Sequence, residues 1–79
     1  MIDPAILPLL DDALSRVRQK YGSRVRSLGD VDLTALSPRI GRPLAVLCHA
    51  ERLVDHPKPR VSLAKCQRAH AQLLRALAY

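Results

Sequence analysis

The chain contains no phenylalanine and no tryptophan, and its only aromatic residues are Tyr21 and Tyr79. Sheets are filled by β-branched and aromatic side chains, and single-stranded or RNA platforms stack bases on aromatic faces. Both architectures are poorly served here. Glycine occurs three times, with no glycine-rich loop to cradle phosphates. The two cysteines, Cys48 and Cys66, do not make a disulfide framework. Met1-Ile2-Asp3-Pro4 lacks the positive start and apolar core of a secretory signal. No apolar run approaches the roughly 20 residues that cross a bilayer. These absences point to a cytoplasmic protein with reduced thiols and no membrane partner.

What is present is aliphatic. Hydrophobic residues make up 48% of 79 positions and are mostly Leu, Ala and Val, a composition that favours helices. The expectation is one all-α domain over residues 1–79: a small bundle of three main helices plus one short helix. A core of this size is marginal, which makes further burial in a dimer or complex an expectation too.

The clearest element runs from Ser62 to Tyr79. Ser62 serves as N-cap, and Leu63, Cys66, His70, Leu73, Leu74 and Leu77 share one stripe at about 100° per residue. Lys65, Arg68, Gln72 and Arg75 share the opposite stripe.

At the other end, Asp3-Pro4 reads as a helix start and Tyr21-Gly22 as its end, with Pro8 bending the first turns. Ile6, Leu7, Leu9 and Leu10 make that start apolar on nearly every side. They face a partner or a second copy, or else form a frayed, partly buried end. Ser23–Ser27 reads as a short extended piece or a last irregular turn. Asp30 or Asp32 caps a short helix through Leu33 and Leu36. Ser37–Pro43 reads as a turn-rich connection, and Pro43 starts a helix through Asp55. His56-Pro57-Lys58-Pro59 ends that helix, so the last two helices form an antiparallel hairpin.

Catalytic and metal chemistry find little support. Cys66 and His70 are four apart on one helical face, a spacing that two metal ligands can use, with Cys48, His49 and His56 as further donors. Cys48 and His49 diverge on a helix, however, and Cys66 and His70 lie within the leucine stripe, where a buried thiol is ordinary. A Cys–His nucleophile pair lacks an orienting group and an oxyanion site. Asp11 and Asp12 diverge as a solvated helix start does. No enzyme activity, metal or cofactor is expected.

The net charge is +6, unevenly spread. Residues 1–15 hold Asp3, Asp11 and Asp12 and no base. Residues 16–26 hold Arg16, Arg18, Lys20, Arg24 and Arg26 and no acid. In 27–55, Arg39, Arg42 and Arg52 meet Asp30, Asp32, Glu51 and Asp55. Residues 56–79 hold Lys58, Arg60, Lys65, Arg68 and Arg75 and no acid.

Two all-positive segments suit nucleic acid or an acidic protein surface. The leading expectation is a small DNA-binding regulatory protein. Lys65, Arg68, Gln72 and Arg75 lie on the reading helix, with Lys58, Arg60, Arg24 and Arg26 on phosphates. A helix-turn-helix over 30–55, with Gly41 in the turn, presents Cys48, Glu51, Arg52 and Asp55 outward, a poor surface for DNA. The alternative is a protein-interaction module (adaptor, inhibitor or antiactivator) using the apolar N-terminal helix.

Overall fold

A computed structural model describes residues 1–78 of the chain; Tyr79, placed in the last helix by the sequence reading, lies outside the described residues. The architecture is all-α. Three helices, α1 (Ile6–Tyr21), α2 (Pro38–Arg52) and α3 (Leu63–Ala78), are joined by irregular connections, and α2 and α3 form the expected antiparallel hairpin. In place of one short helix there are two single 3₁₀ turns, Leu28–Asp30 and Leu33–Ala35.

The chain enters α1 through a turn that Asp3 organises. Its carboxylate accepts the Ala5 N–H at 2.9 Å and its carbonyl accepts the Ile6 N–H at 2.9 Å. Pro8 falls third in α1, where a backbone N–H has no partner within the helix. Its missing N–H therefore costs the helix no hydrogen bond. Gly22 ends α1 at φ 111°, and its N–H reaches the Arg18 carbonyl at 2.9 Å. A side chain at that φ would be strained, so glycine is required.

The start of α2 departs most from expectation. Ser37 is extended, its carbonyl accepts the Ile40 and Gly41 N–H groups at 3.0 and 2.8 Å, and Pro38 is the first helical residue. Proline is well tolerated there, because its fixed φ is helical and its missing N–H would be unpaired. The helix therefore begins five residues before Pro43, which lies inside it and leaves the Arg39 carbonyl without its usual donor. It also ends at Arg52, with Leu53–Asp55 in a turn. Gly41 is no turn residue. A Cβ there would stand 3.3 Å from the Leu33 carbonyl oxygen, so glycine lets α2 lie directly against the second 3₁₀ turn.

Both aspartates of the connection stabilise backbone. Asp32 caps the second 3₁₀ turn by accepting the Thr34 hydroxyl at 2.6 Å and the Thr34 N–H at 3.1 Å. Asp30 reaches backward, accepting the N–H groups of Arg26 at 2.8 Å and Ser27 at 3.0 Å. These bonds favour the ionised carboxylates and hold both below the usual carboxylate range.

One hydrophobic cluster joins the elements. It takes Ile6, Leu10, Ala13 and Val17 from α1, Leu44, Leu47, Cys48 and Ala50 from α2, and Cys66, Ala69 and Leu73 from α3. Ile2, from the segment before α1, and Val25 and Leu28, from between α1 and α2, complete it. The buried face of α3 is wider than the leucine stripe: Ala69 and Ala76 are buried too, Ala76 beside Pro43 of α2, while α1 covers the His70 side. Among the described residues no helix is long and apolar enough to cross a membrane.

A polar contact ties α1 to α3. Asp12 Oδ2 lies 2.6 Å from His70 Nε2 and 2.9 Å from Arg16 Nε. A carboxylate only accepts, so Nε2 carries the proton. Asp12 is thus more than a solvated helix start like its exposed neighbour Asp11; though partly exposed, it reaches across to α3. The bonds from His70 and then Arg16 hold its carboxyl below the ordinary value.

Two outcomes follow from these contacts. Gly41→Val pushes a branched side chain onto the Leu33 carbonyl and should destabilise the fold by about 1–3 kcal/mol in urea unfolding; an unchanged midpoint would mean that α2 does not sit against that turn. Asp12→Asn should cost about 1 kcal/mol at neutral pH, a modest figure because the Asp12 side chain is 41% exposed and screened by solvent. A lowered carboxyl stabilises above its unfolded value of about 3.9 and loses that contribution as pH falls through the folded value. The gap between the native protein and Asp12→Asn should therefore close below about pH 4. A gap that persisted into strong acid would contradict this.

Candidate nucleic-acid interface

The hairpin determines where the cations go. On α2, Arg39, Arg42, Val46 and His49 recur at helical spacing and share one stripe. On α3 the matching stripe is Lys65, Arg68, Gln72 and Arg75. Because the helices run antiparallel, the two stripes border one long groove. One end is a cleft of about 410 Å³ with Arg39, Arg42, Gln72 and Arg75 around a floor that includes Pro43 and Ala76. The other end, about 350 Å³, is lined by Val46, His49, Arg60, Val61, Lys65 and Cys66, among others.

No acid lines either end. The rest of the fold explains this. α3 carries no acidic residue over Leu63–Ala78, and α2 carries only Glu51. Glu51 points the other way, its Oε2 accepting the Leu28 N–H at 3.0 Å. The first 3₁₀ turn packs on the Cys48 and Glu51 side of α2, and α1 packs on the His70 side of α3. Both coverings lie roughly opposite the cationic stripes. The outer face of the hairpin is left bare.

All eight residues expected to contact nucleic acid are exposed: Lys65, Arg68, Gln72, Arg75, Lys58, Arg60, Arg24 and Arg26. The structure brings together Lys65, Gln72, Arg75 and Arg60, with Arg68 on the same stripe. It does not gather the rest. The Arg26 N–H is bound to Asp30 beside the first 3₁₀ turn, on the covered side of α2, and Arg24 lies two residues earlier. Lys58 sits in the α2–α3 connection, outside both groove linings; its N–H bonds His56 Nδ1 at 3.0 Å. Among the described residues, the ion pairs are Arg16 and His70 with Asp12, so no groove cation is neutralised by one.

Arg39, Arg42 and His49 were missed as groove residues. Summing charge along the chain cancelled the two arginines against Asp30, Asp32 and Glu51, acids that fold into backbone contacts elsewhere. The sequence did hold the signal. With Pro38 taken as the first helical residue, positions 39, 42, 46 and 49 fall on one face.

The expected partner interface at the N-terminus changes most. Ile6 is 0% and Leu10 6% exposed, and Leu9 is half-buried against the core. A single copy buries most of what was expected to need a second. Only Leu7, at 39%, remains exposed. The helix-turn-helix that charge already disfavoured is not formed, since Gly41 lies within α2 and Cys48 is buried.

The thiols sit in the core as well. Cys66 is fully buried, and burial pushes its thiol up, away from the thiolate that a metal or nucleophile role requires. His70 is engaged by Asp12. Among the described residues no three His, Cys, Asp or Glu side chains gather as a metal site. Comparison with known protein families, curated proteins and solved structures finds no match to this chain.

Proposed function

We propose that the protein acts by binding rather than catalysis, and that it engages duplex nucleic acid through the outer face of α2 and α3. The observation that carries this reading is the acid-free groove between Arg39 and Arg42 on one helix and Lys65 and Arg75 on the other. Lys65 to Arg75 spans about 15 Å of helix rise, over which a duplex presents about nine negative charges. Cations on two parallel rows can meet phosphates on either side of a groove, which supplies affinity without sequence selection. Gln72 is the amide on the α3 stripe, the group able to bond a base edge from there.

An apolar N-terminal interface has less to support it, with Ile6 and Leu10 in the core. An acidic protein surface would satisfy the same cations and is the reading indicated if duplex does not bind.

Fluorescence anisotropy with a mixed-sequence duplex over a salt series tests the proposal. Binding should weaken steeply with salt, with a log–log slope of about −5 if Arg39, Arg42, Arg60, Lys65, Arg68 and Arg75 all engage. Arg68→Ala and Arg75→Ala should each weaken binding and make the slope shallower by about 0.9. No binding at low salt, or full binding by both variants, would count decisively against this face.

A further inference from the structure

The two ends of the groove differ chemically. At the α3 N-terminal end the cations are Arg60, Lys65 and, when protonated, His49, and they share the lining with Val46, Val61 and Cys66. At the other end three guanidiniums, Arg39, Arg42 and Arg75, and one amide, Gln72, rim a small floor that includes Pro43 and Ala76. We propose that this second end is a discrete phosphate-binding cleft, which holds a backbone phosphate of bound nucleic acid and so fixes where along the duplex the hairpin sits. This inference rests on the nucleic-acid reading above and adds a specific contact to it.

Four features support a phosphate here. Guanidinium is a rigid planar fork that pairs two N–H groups with two oxygens of one phosphate, which the point charge of lysine cannot do. Three such forks from two helices match a group with several exposed oxygens. Crowding three like charges on one cleft, with no acid in its lining, is unfavourable until an anion enters. The cleft also sits at the start of α2, a 15-residue helix whose N-terminal end carries partial positive charge. Ser37 supplies no side-chain cap there, and among the described residues no hydrogen bond engages the Arg39 N–H.

The shape decides between sources of the phosphate. At about 410 Å³ the cleft exceeds a lone phosphate and lies open between two helices. Sites for small ligands enclose most of the ligand surface. An open trough suits a chain that enters and leaves, with one phosphate held between the two helices.

The test is an NMR titration of the full chain at low salt, reading backbone amides and arginine Nε–H signals, with inorganic pyrophosphate as the probe and a short duplex as competitor. Pyrophosphate should produce saturable shifts confined to residues 38–43 and 72–76. Duplex should displace it. Arg42→Gln and Arg75→Gln, on separate helices and both exposed, should each weaken pyrophosphate roughly tenfold while leaving the spectrum dispersed. Shifts that never saturate, or that appear equally at Arg24 on the covered side, would overturn the cleft; duplex binding in the salt series would then stand without it. Saturable pyrophosphate binding that duplex fails to displace would overturn nucleic acid as the source and leave a site for a free phosphoanion.

Discussion

The close antiparallel packing of α2 on α3 is the constraint on which the rest of the molecule depends. It buries Leu44 and Leu47 against a face of α3 in which Cys66, Ala69, Leu73 and Ala76 have almost no exposure. With no Phe or Trp, the chain has only aliphatic side chains with which to fill the space between helices. Small residues at 69 and 76 let the backbones approach, and leucines at 44, 47 and 73 occupy what remains. The same approach sets the cationic stripes side by side, so core and groove are products of one packing arrangement.

Electrostatics reinforces this division of faces. Asp30 and Asp32 satisfy backbone N–H groups, Glu51 satisfies Leu28, and Asp12 joins α1 to α3 through His70. These four of the seven acids are committed to holding the fold, on sides away from the hairpin's outer surface. The groove cations have no such internal commitments among the described residues. The net charge of +6 therefore understates how strongly one face is polarised.

Much of this was legible in the sequence. The α3 pattern showed both its buried stripe and its cationic stripe, and Ser62 does accept the Lys65 N–H at 3.3 Å. Gly22 as the end of α1 and Asp32 as a cap also followed from local chemistry. What failed were inferences needing tertiary context. Ser37–Pro43 holds two prolines and a glycine and reads as a turn, yet each fits a helix for a separate reason: Pro38 by position, Gly41 by contact, and Pro43 at the loss of one bond. Misplacing that start hid Arg39 and Arg42. The apolar run Ile6–Leu10 looked too large for one small chain because the sequence does not say that Ile2, Val25 and Leu28 fold back to complete the core around it.

On the proposed reading, folding recruits Arg39 and Arg42, from a stretch in which acids outnumber bases, into the nucleic-acid-binding face. The most direct measurement compares duplex affinity and salt slope for two double variants, Arg39→Ala/Arg42→Ala and Arg24→Ala/Arg26→Ala. The slope should be shallower by about two charges for the first pair, with nearly native behaviour for the second. The reverse result, with binding dependent on Arg24 and Arg26 and indifferent to Arg39 and Arg42, would contradict it.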